Sequence, residues 1–478
     1  MTTLRGRYGL MLRLLLLLMG GTALSMAVPL VLAWAFGEGA MCRAFLLSMG
    51  PAILAAFPAA AFSRGRKVRF SAGDGFLLVF LAWVLICLMG AAPFRLAGLG
   101  IGFSDALFES VSGFTTTGAT VFPDVESLPR SLLFWRAMTH WLGGMGIVVL
   151  TVALLPLPGA GGFQLLQAES PGPESEKITP RITGTAKILW LVYIVLTALE
   201  TALLMLGGMD WFDAVTHSFS TVATGGFSGR NGSIAAYRSP FIDWVCAVFM
   251  LLAGFNFALV YRLCRGKPGE IAVNSEARAY GLVILVSVLL IRATGTGLRQ
   301  AFFQAASILS TTGFSTADHN LWHPLAQGVL FFLMFIGGCS GSTAGGVKVI
   351  RHVVFWKQTG NEMKKILYPN GVFAIRLDGK VGKKEVVYGV TGFMFLYFVL
   401  VFAAALLVSA AGYDLFTSIN TGLLTLGNIG MGIGTMGPGS EFSAFPAWVK
   451  RGLSFVMIAG RLELWTVFVF FSRDYWRA

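Results

Sequence analysis

Long apolar runs separated by short polar loops fill almost the whole chain. Ten of them reach the ~20 mostly apolar residues that a bilayer span requires, near 9–36, 41–62, 74–97, 131–155, 186–208, 240–263, 279–296, 323–357, 386–411 and 444–472. The first follows Arg5, Arg7 and Arg13 in the manner of a secretory leader. Its apolar stretch runs on to Phe36, too long for a leader, and predicts a retained helix. The last eight runs form four pairs, each enclosing a semi-polar insert: DALFESVSGFTTTGATV, DAVTHSFSTVATGGFSG, LRQAFFQAASILSTTGFST and DLFTSINTGLLTLGNIGMG. Each insert holds about a dozen helix-compatible residues, which cover ~18 Å at 1.5 Å each and cannot cross a ~30 Å hydrocarbon core. The pattern predicts half helices that enter the membrane and return as extended chain.

The predicted fold class is therefore an all-α integral membrane protein. Two extra N-terminal helices (1–70) precede helix–re-entrant loop–helix repeats over 71–160, 161–268, 269–358 and 386–478, with a cytoplasmic loop at 359–385. Composition agrees: 55% of the 478 residues are hydrophobic and 12% charged, against about 25% charged in soluble domains. The net charge of +13 does not indicate nucleic acid, because the basic residues are spread over short loops. Of 36 Lys and Arg, 25 fall on the side away from the inserts, 10 on the insert side, and Arg461 within a span. That bias makes the basic side cytoplasmic, with both termini, and opens the inserts outward. Five scattered cysteines give no disulfide framework and no metal-ligand spacing.

Non-helical backbone at membrane depth persists only where protein encloses it or where it lines water or ions. Four such segments converging on one axis would stack carbonyl rings that replace the hydration shell of a cation. Glycine allows the backbone to turn its carbonyls inward and leaves the lumen clear. Gly118, Gly225, Gly313 and Gly430 align as equivalents, with a one-residue slip to Gly226 left open. Half helices pointing their C-terminal ends at the axis favour cations there. Asp105, Asp213 and Asp414, near the half-helix starts, are placed to concentrate cations; the third insert has Leu298-Arg299-Gln300 instead.

In order, TTTGAT, TVATGGFS, STTGFST and NIGMGIG resemble the Trk/Ktr/HKT superfamily of potassium transporters, TrkH type. GGCSGSTAGGVKVIR (337–351) and GRLELWTVFVFF (460–471) extend the resemblance over nearly the whole chain. It implies potassium as the transported ion, held by Thr116, Thr117 and Gly118; Ala223, Thr224 and Gly225; Thr311, Thr312 and Gly313; and Asn428, Ile429 and Gly430. It also implies a homodimer in the bacterial inner membrane and a cytoplasmic nucleotide-binding regulatory ring as a separate partner. No organic cofactor is expected. Met431 stands where relatives usually carry proline, leaving that backbone less restrained.

The glycine-rich stretch with Gly337, Gly338, Ser340, Gly341, Gly345 and Gly346 lacks the strand, βαβ unit and lysine spacing of a phosphate cradle. Read alone it fits either small-residue helix packing or a broken helix lining a cavity; the resemblance favours a gate under the filter. A charge inside a span costs at least ~2.5 kcal/mol, so Arg461 is either an ion-paired structural arginine or, by resemblance, a barrier to cations. Lys348 and Arg351 read as positive-inside charges; His140, Trp141 and the GGMG at 143–146 as packing; His217 as structural; His319 and His323 as surface residues. Paired intramembrane carboxylates, a Ser/His arrangement and HExxH are all absent from the sequence, which argues against an enzyme. Four similar loops argue against a two-halved carrier of organic solutes. Weaker potassium/sodium discrimination, or sodium coupling, on the same fold is the alternative.

Overall fold

The computed structural model describes residues 4–61, 71–146, 182–378, 380–381 and 384–477. The end of the predicted 131–155 span, RGRKVR (64–69) and most of the 158–184 loop lie outside them. The regular secondary structure of the described residues is helical apart from a short antiparallel hairpin, Arg376–Leu377 with Lys380–Val381. Two N-terminal segments, Leu4–Ser25 continuing as Ala27–Ala35, and Gly39–Ala61, lie against the first repeat. Glu38, between them, accepts from the backbone N–H of Arg130 (2.7 Å) and Ser131 (3.2 Å), so it caps a helix of that repeat from outside.

Each repeat opens with a long helix: Ala72–Leu96, Ile182–Leu206, Ser275–Ala293 and Lys384–Ser409. A half helix follows: Phe103–Phe114, Trp211–Val222, Leu298–Leu309 and Leu415–Gly427. Acidic side chains start three of the four. Asp105 accepts from Gly102 N–H, Asp210 from Phe212 N–H and Asp414 from Thr417 N–H, satisfying donors the helix itself cannot. The repeat closes with Arg130–Gly144, Pro240–Ala253, Pro324–Met334 or Ala447–Arg461. Bulky apolar side chains point outward: Trp34, Leu54, Leu206 and Phe332 are all exposed. The interior along the half helices carries buried Ser and Thr. That arrangement is apolar toward lipid and polar toward an axis.

Among the described residues, five helices are long and apolar enough to span alone. The closing helices differ from unbroken spans. Pro240–Ala253 bends by 108° into Phe257–Cys264, and Ala447–Arg461 by 118° into Leu464–Phe471. Pro324–Met334 gives way to non-helical chain before Val349–Leu367. The sequence predicts only the last of these breaks. Both other bends have a glycine in close approach: a Cβ on Gly254 would lie 2.7 Å from the Tyr280 hydroxyl, and one on Gly460 would collide with the Leu426 carbonyl.

Candidate ion pathway

All four half helices end in the same way. The N–H of Thr117, Gly225, Thr312 and Ile429 each reaches back five residues, to the carbonyls of Ser112, Ser220, Ser307 and Leu424 at 2.7–2.9 Å. This is the Schellman termination, which places the preceding residue in the left-handed region. Glycine normally fills that place. Here it is Thr116 (φ 53°), Thr224 (φ 56°), Thr311 (φ 61°) and Asn428 (φ 53°), and three of the four are β-branched.

The shared termination sets the register of the repeats. Two residues beyond each left-handed position lie Gly118, Gly226, Gly313 and Gly430. The sequence-based alignment with Gly225 is thus shifted by one: Gly226, at φ 83°, matches Gly118 (84°) and Gly313 (82°). The second turn is Thr224-Gly225-Gly226, and Ala223 caps its half helix instead. Gly430 does not share the positive φ, so the fourth turn departs from the other three.

The turns close a ring. A Cβ on Gly118 would collide with the Gly225 carbonyl oxygen, and one on Gly226 with the Thr312 carbonyl oxygen. One on Gly313 would lie 2.9 Å from Gly430 N, and one on Gly430 2.8 Å from the Thr117 oxygen. Each turn therefore meets the next in chain order and the fourth returns to the first. A single cavity of about 180 Å³ is lined by Gly118, Gly226, Gly313 and Gly430 together, with Met431 and Glu441 also on its wall. Several side chains of the turns bond one another. Thr115 and Thr117 share a hydroxyl hydrogen bond at 2.8 Å, as do Ser310 and Thr312. The Asn428 amide donates to Thr117 Oγ1 and the Met457 carbonyl, both at 3.0 Å.

Behind the first two turns stand residues that the sequence did not single out as functional. Arg136 is 2% exposed. It pairs with fully buried Glu109 at 2.7 Å and donates to Thr120 Oγ1 and the Ser228 carbonyl. Its guanidinium lies 4.1 Å from the Phe227 ring centre. Glu109 also accepts from Val121 N–H at 2.9 Å. His319, expected at the surface, is buried and bonds the Gly432 carbonyl at 2.8 Å.

Two of the three acids near the half-helix starts are paired with basic side chains. Asp105 is paired with buried Lys450 at 2.5 Å. Asp213 is held by Arg230 (3.0 Å) and the Tyr237 hydroxyl (2.7 Å). Arg299, at the start of the third half helix, is paired with Asp243 at 3.3 Å. Asp414 is exposed, and hydrogen bonds from the Thr417 side chain and backbone hold its carboxyl below the usual range.

The glycine-rich segment packs directly against the ring, on the side of the half-helix ends. Gly345 N–H donates to Thr311 Oγ1 at 2.7 Å, and a Cβ there would collide with the Gly427 carbonyl. Thr343 Oγ1 donates to the Val222 carbonyl at 2.9 Å. Gly337, Gly341 and Gly346 take positive φ, and Gly338 accepts from Val349 N–H. Glu276, at the start of Ser275–Ala293, accepts from Ser340 N–H (2.7 Å) and Ile350 N–H (3.1 Å). Arg461 spans this level, donating to the Thr343 carbonyl (2.7 Å) and to the carbonyls of Gly143 (3.0 Å) and Gly144 (3.3 Å). Arg351 is buried rather than a loop charge: it pairs with Glu463 at 2.5 Å and lies 3.8 Å over Phe393. Lys348 is also buried and donates to the Ala344 carbonyl.

The family model named TrkH, described as a cation transport protein, matches residues 47–278 and 285–477. The Trk system potassium uptake protein TrkH of Halomonas elongata is 39% identical, over 98% of this chain and 99% of its own. Its Escherichia coli K12 namesake is 37% identical over 97% and 98%. The crystal structure of the potassium transporter TrkH from Vibrio parahaemolyticus superposes with a TM-score of 0.85 at 34% identity, covering 98% of this chain and 99% of that one. The family model covers all four repeats and the relatives nearly the whole chain, and the chain belongs to the TrkH family of cation transport proteins, which are transporters rather than enzymes.

Proposed function

We propose that this protein carries potassium into the cell across the bacterial inner membrane, through a selectivity filter made of its four re-entrant turns. The ions bind at Thr116-Thr117-Gly118, Thr224-Gly225-Gly226, Thr311-Thr312-Gly313 and Asn428-Ile429-Gly430, with carbonyl oxygens replacing water. The observation that carries this reading is the closed ring of turns, with a glycine of each lining one cavity. The half-helix C-termini at the ring add negative dipole ends. Among the described residues, the buried oxygens Thr116 Oγ1 and Asn428 Oδ1 have no hydrogen-bond donor, which suits cation contact.

The glycine-rich segment serves as the gate, and Arg461 as its electrostatic barrier. The basic inner face receives a separate nucleotide-binding regulatory ring, and the protein works as a homodimer with both termini inside; the relatives' place in a named Trk system supports association with further components. The test is uptake of labelled rubidium into proteoliposomes. Excess potassium is expected to suppress it and excess sodium to leave it nearly unchanged. Equal suppression by sodium overturns strict selectivity and selects the weakly discriminating alternative, for which the divergent fourth turn provides a cause. No uptake of either ion overturns the pore reading.

A further inference from the structure

The helix Arg130–Gly144 carries one polar stripe, at Arg136, His140 and the Gly143–Gly144 carbonyls, spaced about a turn apart on one face. The outer end of the stripe holds Thr120 and Ser228, and the inner end holds Arg461. His140 lies between them and is fully buried. Its Nδ1 is 2.7 Å from the Gly113 carbonyl in the first half helix. Its Nε2 is 3.1 Å from Phe227 N–H, just past the second turn. An amide N–H can only donate, so Nε2 accepts; a carbonyl can only accept, so Nδ1 carries the proton. One neutral tautomer satisfies both contacts. The ring is stacked on Phe227 at 4.1 Å, and a Cβ on Gly225 would collide with it. In the closing helices of repeats two and four, Met250 and Met457 stand three residues before Ala253 and Gly460, as His140 stands before Gly143. Neither methionine can bridge two backbone groups in this way.

We infer that His140 is a specificity-determining positioning residue: it fixes the second filter turn against the first half helix, and potassium-over-sodium discrimination depends on that fixed spacing. The inference rests on the filter assigned above. Carbonyl rings discriminate ions through the number and placement of their oxygens. A turn free to move accommodates the smaller ion as well.

The experiment uses full-length protein in proteoliposomes and compares sodium competition against rubidium uptake in wild type, His140→Met, His140→Asn and His140→Gln. Methionine supplies neither bond, and asparagine is too short to reach both partners. Glutamine keeps a donor and an acceptor near the outer position. Rubidium-over-sodium preference is expected to fall roughly five- to tenfold in the Met and Asn variants, the equivalent of one buried hydrogen bond. The Gln variant is expected to recover at least part of it. Thermal midpoint in detergent and dimer elution, measured alongside, separate this from unfolding. A purely packing role would let folded His140→Met keep wild-type preference, and that result overturns the inference. If the Met variant fails to fold, wild-type preference in folded His140→Asn overturns it equally. Failure of wild type to discriminate would instead strike the filter assignment itself.

Discussion

Thr116, Thr224 and Thr311 hold left-handed backbone that costs a β-branched residue on the order of 1–2 kcal/mol. Such residues persist where the surroundings over-determine them, and Thr311 shows how: its hydroxyl accepts from Gly345 N–H in the inner segment. Thr311→Val keeps the shape but orphans that buried donor, at about 1–3 kcal/mol. The expected outcome is a roughly tenfold rise in rubidium leak measured without any regulatory partner. Register is a second matter at this scale. Gly313→Ser is expected to raise sodium permeation, because positive φ and the crowding beside Gly430 leave no room for a side chain. Gly226→Ser is expected to match it, which sodium competition in the same vesicles checks. The sequence alone left Gly225 and Gly226 undecided, since adjacent glycines carry no periodicity. The five-residue hydrogen bond that separates them exists only in the folded turn.

The closing helices all end close to the ring of turns, but their breaks have different visibility in sequence. The segment at 335–348 is rich in glycine and serine and reads as broken. The bends after Ala253 and Arg461 take only two or three residues within apolar sequence, so hydropathy runs straight through them. Their function as ends is nevertheless clear from Arg461, which gathers carbonyls from two other elements. Arg461→Ala is expected to raise rubidium flux on the order of tenfold, as a barrier is lost, while lowering thermal stability because buried carbonyls lose a charged donor. Lower flux in folded Arg461→Ala would show the arginine to be a structural tie alone. Glu276 provides a parallel hold on the segment through Ser340 and Ile350. Glu276→Ala is expected to raise flux in the same assay.

For the molecule as a whole, hydropathy exposed the repeats and the polar inserts because membrane burial imposes them on composition. The ion pairs that tie repeats together were not legible. Asp105 meets Lys450 and Arg351 meets Glu463 across more than a hundred residues, and sequence position says nothing of such distances. Asp213 is tied to Arg230 and Tyr237, so Asp213→Asn is expected to lower the thermal midpoint by a few degrees as those contacts are lost. The salt dependence of uptake should stay the same; a changed dependence would restore the carboxylate as a cation collector.

One feature of the ring reaches beyond selectivity at a single site. Its quadrants are spelled separately within a single polypeptide, and the fourth already differs, with Asn428 at the left-handed corner and Met431 beyond Gly430. In a channel assembled from identical subunits, one codon change rewrites the whole coordination shell at once. In the filter proposed for this chain the same change touches a quarter of it, so ion preference can drift in small, survivable steps.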